Sequence, residues 1–167
     1  NAYENYEFHI LYHTIHNFCT VDLSSFYLDV LKDTMYAEKE NNVARRSAQT
    51  AIYEILTTLV KMVSPVLSFT AEEVWQYMPK EEGMEESVML VDWPQGHADH
   101  VDAELSARWA TMLDLRSEMT KALEGARRDK AIGHSLDASI TVYADGDAYQ
   151  ALTGFADSLA SLLIVSE

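Results

Sequence analysis

The 167-residue sequence holds one cysteine, three prolines and six glycines, and its first 31 residues contain no lysine or arginine. A lone Cys19 leaves no disulfide framework and no Cys-rich zinc module. The glycines are scattered, and no Gly-rich loop joins a strand to a helix, so a phosphate cradle of that kind is excluded. No serine sits on a nucleophile elbow. A secretory signal needs a basic start followed by an apolar stretch, and neither is present. The longest apolar runs, such as Val88-Met89-Leu90-Val91, are far too short to span a bilayer. A cytoplasmic location without membrane contact is expected. An initiator methionine is also missing. Residue 1 is Asn, and the text from Ala2 reads like the middle of a helix, so a piece of a longer chain is expected.

Cations are scarce throughout: 12 Lys+Arg face 27 Asp+Glu, for a formal net charge of -15. Taken in bulk, that charge argues against a phosphate-bearing partner. Its distribution argues otherwise. Residues 32–61 hold Lys32, Lys39, Arg45, Arg46 and Lys61, and residues 108–130 hold Arg108, Arg116, Lys121, Arg127, Arg128 and Lys130; only Lys80 lies elsewhere. Exposed charges act over only about 8 Å at physiological salt, so a local cationic face is possible on an acidic body.

What is present is a globular composition, 48% hydrophobic and 23% charged. Apolar residues at helical spacing mark a first helix over residues 3–17 through Phe8, Leu11, Tyr12, Ile15 and Phe18. Asn17 and the pair Thr20-Val21 are expected to end it. Asp22 would cap the next helix, with Val21 and Phe26 as its hydrophobic staple. A third helix from about Ala44 carries Ala48, Ile52, Ile55, Leu56, Leu59 and Val63 on one face, up to Pro65. A fourth is expected to start at Thr70, with Thr70 and Glu73 as capping box and Phe69 and Val74 as staple, and to close at Pro79.

Residues 80–86 read as an acidic loop, and residues 87–93 as a short extended segment stopped by Pro94. A long helix follows, with Leu105, Trp109, Met112, Met119, Leu123 and Ala126 near heptad spacing, Arg116 in a slot that should be apolar, and an end at Gly133. Ile140, Val142 and Ala144 alternate with polar positions like a half-buried strand. Asp145-Gly146 is a turn, residues 147–160 a short helix, and residues 162–165 a second strand. The predicted fold is mainly α: an antiparallel helix bundle over residues 1–79, an acidic connector over 80–100, and over 101–167 a long helix with a small, truncated β-α-β unit.

His9, His13 and His16 fall on one helix face and could bind zinc, but a polar stripe beside the aromatic one is favoured, and no metal site is expected. Glu72-Glu73 lacks a Glu-x-x-His partner for a carboxylate di-metal site. Asp92, His97, Asp99 and His100 form a polar knot read as solvated. His134, Ser135 and Asp137 are read as a loop. Tyr3, Tyr6 and Tyr36 need not be buried, and aromatics beside Arg and His are what unstacked RNA bases use. A double arginine at a helix start, Arg45-Arg46, opposes the macrodipole and hints at use by a partner.

Several runs converge on a family. Tyr6-Glu7-Phe8-His9, Asn17-Phe18-Cys19, Asp22-Leu23-Ser24-Ser25-Phe26-Tyr27-Leu28-Asp29 and Lys32-Asp33 resemble the anticodon-binding domain of isoleucyl-tRNA synthetase, in its bacterial, class Ia form. So do Arg45-Arg46-Ser47-Ala48-Gln49-Thr50 and Pro65-Val66-Leu67-Ser68-Phe69-Thr70-Ala71-Glu72-Glu73-Val74-Trp75. The last run is shared with valyl and leucyl enzymes. Leu115-Arg116-Ser117-Glu118, the run Lys121–Arg127 and the run Ile132–Ala138 look like the C-terminal junction of the bacterial form. The resemblance implies a tRNA-binding module of a ligase with no catalytic site of its own. Its partners would be isoleucine tRNA and the other domains of a monomeric enzyme. Contacts are expected from Arg45, Arg46 and Gln49 first, then Lys39, Lys32, His9 and His13, with Lys121, Arg127, Arg128 and Lys130 meeting either the stem or acidic loops. ATP, magnesium and zinc would belong to the full enzyme, whose catalytic and editing domains would lie upstream and whose zinc module would follow Glu167. Alternatives are a valyl- or leucyl-type domain, a helical interaction domain with no RNA role, and a metal-dependent bundle enzyme.

Overall fold

A computed structural model describes residues 1–96 and 100–166. Within them the chain forms two compact units, one of residues 31–96 and one of residues 1–30 with 100–166. The described residues are helical, with no strand.

The first unit opens with turns, in which Tyr6 adopts a left-handed φ of 58°, and then α1, Phe8–Asn17. The helix does not end at Asn17. It widens into a π-helical segment, Phe18–Tyr27, and runs on into α2, Leu28–Val30. Asp22 therefore caps nothing, and Val21 is exposed rather than stapled to Phe26. Local hydroxyls accompany the wider turn: Thr20 Oγ1 donates to His16 O at 2.8 Å and Ser25 Oγ to Thr20 O, five residues back, at 2.6 Å. Such widened turns are uncommon and cluster at functional places.

The long helix of this unit, α6, spans Ala103–Arg128, with α7 (Gly146–Thr153) and α8 (Leu159–Leu163) packed on it. The other elements, α3 to α5, belong to the second unit. The expected heptad face of α6 is covered from Trp109 on, although its first member, Leu105, is exposed: Met112 is inaccessible and packs with Leu152 and Leu162, against Phe26, Trp109 and Phe155. Leu123 packs with Ala138, Leu163 and Val165. The helix ends before Gly133. Lys130 takes the left-handed position (φ 59°), and Ala131 N–H closes on Ala126 O at 2.9 Å, a helix-terminating geometry that glycine usually supplies.

Arg116 occupies its apolar slot because three partners surround it. Its Nε donates to Leu162 O at 2.7 Å, its guanidinium lies 5.0 Å over the Phe26 ring, and Asp29 supplies opposite charge. Burial lowers its pKa, and Asp29 acts against that.

The two expected strands do not form. Residues 139–145 carry no regular bonding pattern. Residues 159–163, which include the start of the intended partner strand, are helical in α8. Ile164 then turns left-handed (φ 55°), and Val165 N–H closes back on Ala160 O at 3.1 Å. Those groups are already spent on the helix end, so a single rung, Ser166 N to Ala138 O at 3.3 Å, joins the two segments. A strand needs a ladder, and one rung is not one.

In the second unit, α3 (Lys32–Tyr36) turns into α4 (Val43–Val63), which packs against α5 (Ser68–Tyr77). Its core is Val60, Ala71, Trp75, Met78 and Val88. Two expectations fail at α5. The helix starts at Ser68, because Leu67 N–H bonds Val63 O and Ser68 Oγ bonds Ser64 O (2.8 and 2.9 Å), which bends the chain straight into the next helix after Pro65. Thr70 is thus inside the helix and forms no capping box. Phe69 is 95% exposed and makes no staple. Residues 87–93 are not extended throughout, although Ser87 and Val91 have extended backbone. Ser87 caps a 3-10 turn, Val88–Leu90. The Glu72 carboxylate holds this turn, accepting from Ser87 Oγ at 2.7 Å and Val88 N at 3.1 Å.

Candidate nucleic-acid interface

The basic segments meet different fates. On α6 the cations are largely satisfied by their own helix. Lys121 pairs with Glu118 at 2.5 Å, Arg127 with Glu124 at 2.9 Å, and Arg128 lies 3.9 Å from Asp129. Arg116 is spent on Leu162, Phe26 and Asp29, and Arg108 stacks 5.6 Å from the Phe155 ring. The partners of Lys121, Arg127 and Arg128 are exposed acids of α6 itself or of its end, not of the acidic loops.

The α3–α4 turn is built differently. Asn42 caps α4, its Oδ1 accepting from Ala44 N at 2.8 Å and Arg45 N at 3.4 Å. Its Nδ2 donates to Glu38 Oε2 at 2.7 Å, and its backbone N–H bonds Lys39 O at 2.9 Å. Arg45 reaches back over the turn, Nη1 donating to Glu38 O at 2.8 Å, while its Nε is buried without a hydrogen-bond partner. Arg45 is thus half-buried, and its first task is to clamp the turn. Arg46 and Gln49, at i and i+3, are exposed, as is Lys39, and no ion pair among the described residues holds Lys39 or Arg46. The turn, residues 38–46, therefore carries three bases against two acids (Glu38 and Glu40), a small positive excess on a hydrogen-bonded frame. Lys32 is exposed on α3.

His9 and His13 belong to the other unit. They lie exposed on α1 with Tyr12 and His16, and the Tyr12 ring sits 5.2 Å from His13 and 5.5 Å from His16. Among the described residues no group of three His, Cys, Asp or Glu side chains could hold a metal ion, and the stripe His9, His13, His16 forms no such group. His134 and Asp137 form a capping box around a 3-10 turn: Leu136 N bonds His134 Nδ1 at 3.2 Å and His134 N bonds Asp137 Oδ2 at 2.8 Å. His97 and Asp99 lie outside the described residues. No described helix is long and apolar enough to cross a membrane.

Sequence reading picked the cations of the turn but did not distinguish Arg45 from Arg46. Tyr36, one of the three tyrosines that need not be buried, ends α3 and is 87% exposed.

A helical domain offering a small cationic turn on an otherwise acidic chain suits a polyanionic partner. The family model described as the anticodon-binding domain of tRNA ligase matches residues 1–142, and the chain belongs to that family. Its relatives narrow the membership. It is 52% identical over 166 residues to the isoleucine–tRNA ligase of Natranaerobius thermophilus, covering 99% of this chain. It is 52% identical to that of Syntrophotalea carbinolica, again over 99% of the chain, and 47% identical over its full length to that of Bacillus mycoides. The chain spans 18% of the length of each of these relatives.

Proposed function

We propose that this domain holds the anticodon stem-loop of isoleucine tRNA, as part of a longer cytoplasmic isoleucine–tRNA ligase that takes ATP and magnesium at a site in its other domains. The observation that carries the reading is the α3–α4 turn, where Lys39, Arg46 and Gln49 stand outward and unpaired by acids in a chain of this family. Lys39 and Arg46 would meet phosphates, which position the RNA without reading it, and Gln49 can donate to or accept from a base edge. Arg45 supports them by fixing the turn. Lys32 lies on the preceding helix and can add charge. His9 and His13, exposed on α1, offer a separate contact. The binding mode is narrow, because acids outnumber bases more than two to one.

The test uses the full-length ligase. Arg46→Ala with Gln49→Ala should raise the tRNA concentration needed for aminoacylation and leave ATP-dependent isoleucine activation at the wild-type rate. Equal loss of both activities would assign the two residues to folding instead.

A further inference from the structure

We propose that Tyr36 is a stacking platform for an unpaired base of the RNA loop held at the α3–α4 turn; the inference rests on the reading of that turn as the RNA-binding face. Three exposed aromatics of the second unit stand out: Phe69 at 95%, Tyr36 at 87% and Tyr77 at 86%. Their surroundings separate them. Phe69 and Tyr77 lie on α5 with Glu72 and Glu73, within the stretch 62–107 where ten acids face one base. Phosphate is unwelcome there. Tyr36 ends α3 three residues before Lys39, in a stretch, residues 32–46, where four bases stand against three acids (Asp33, Glu38 and Glu40), and the turn that follows it is the one that carries Arg46 at the start of α4.

Exposed ring area alone would say nothing, but the turn that begins just after this ring is fixed. Glu38, two residues on, is held twice: its carbonyl accepts from Arg45 Nη1 at 2.8 Å and its carboxylate from Asn42 Nδ2 at 2.7 Å. A base that lands on Tyr36 need not order the backbone beneath it, and tyrosine itself loses only two side-chain torsions. Every base offers a π-face, so the ring grips any unstacked base while the neighbouring cations hold its phosphates. The ligand is thus a single-stranded RNA segment with at least one splayed base, which a duplex stem alone does not offer.

The experiment is a titration of full-length ligase with fluorescently labelled anticodon stem-loop RNA at two salt concentrations. Tyr36→Ala is expected to weaken binding about 5- to 150-fold, the range for losing one base–aromatic stack, with the salt dependence unchanged because no charge is lost. Tyr36→Phe should bind as wild type. Should Tyr36→Ala fold poorly, Tyr36→Leu keeps the bulk without the π-face and should bind weakly as well. Wild-type affinity in Tyr36→Leu or Tyr36→Ala, together with weakening in Arg46→Ala, would overturn the stacking role and leave the interface standing. Wild-type affinity in all of them would remove the interface, and the stacking with it. A fall in thermal stability of Tyr36→Ala without any loss of affinity would show that the ring packs on another domain, which also overturns the proposal.

Discussion

Arg45 and Glu38 are joined across the α3–α4 turn by a 2.8 Å hydrogen bond from the arginine Nη1 to the backbone carbonyl. The consequence is a division of labour between adjacent arginines that sequence alone treats as a pair. Arg45→Ala removes this bond and part of the frame under the basic face, so the domain should lose about 1 kcal/mol of stability. Arg46→Ala should leave the unfolding midpoint in place and lower RNA affinity. Denaturant melts alongside RNA titrations decide it; the reverse split, with Arg46 stabilising and Arg45 inert, would show the clamp to be misassigned.

Trp75 and Phe69 lie in one helix and should respond oppositely to truncation. Trp75 is 1% exposed, packs with Val60, Ala71 and Val88, and donates Nε1–H to Glu85 O at 3.0 Å. Trp75→Ala should cost about 3–5 kcal/mol. Phe69→Ala, at an exposed position, should change stability by less than about 0.5 kcal/mol. Chemical unfolding of the domain measures both, and a large loss at Phe69 would mean that something covers it.

The Glu72 carboxyl sits below its ordinary value of 4.5, held there chiefly by the Ser87 hydroxyl, then by Gln76 and by Val88 N–H. A depressed folded-state value stabilises the fold at pH above the unfolded value and loses that contribution as pH falls through the folded one. Melting temperature between pH 6 and pH 3 should therefore fall more steeply in the wild type than in Glu72→Gln. Parallel acid limbs for the two proteins would show that the turn at Val88–Leu90 does not depend on the ionised carboxylate.

Arg116 ties α6 to Phe26, to Asp29 and to the Leu162 carbonyl. Arg116→Ala leaves the Leu162 carbonyl without its donor and should destabilise the first unit by about 1–3 kcal/mol. Arg116→Met, which fills the apolar slot, should recover part of that. Calorimetry distinguishes the three proteins; if alanine and methionine are equally harmful, packing against the ring contributes nothing.

Much of this was legible in the sequence. The helices came from apolar spacing: the α6 stripe from Trp109 to Leu123 follows the expected phase, whereas on α4 Ala48 is buried as expected but Val60, not Leu56, is the core residue and Leu56 is exposed. The cationic turn came from charge position. What failed were local signals overridden by bonds to distant residues or by competing local geometry. Thr70 and Glu73 have the pattern of a capping box, but the bend after Pro65 starts the helix earlier. Ile140 to Ala144 alternate like a strand, but their partner segment is claimed by α8. Arg116 violated the heptad because its three partners are separated from it by tens of residues. The distinction between Arg45 and Arg46 needed the path of the chain between Glu38 and Asn42, which no spacing rule supplies.

The most direct test of the RNA-binding face is the salt dependence of anticodon stem-loop binding by full-length ligase, compared with its Lys39→Ala, Arg46→Ala double variant. Each lost phosphate contact lowers the slope of log affinity against log salt by about 0.7–0.9. The double variant should bind more weakly at low salt, with a slope smaller by about 1.4–1.8. Identical affinity and identical slope in the two proteins would contradict the assignment of this turn to the RNA backbone.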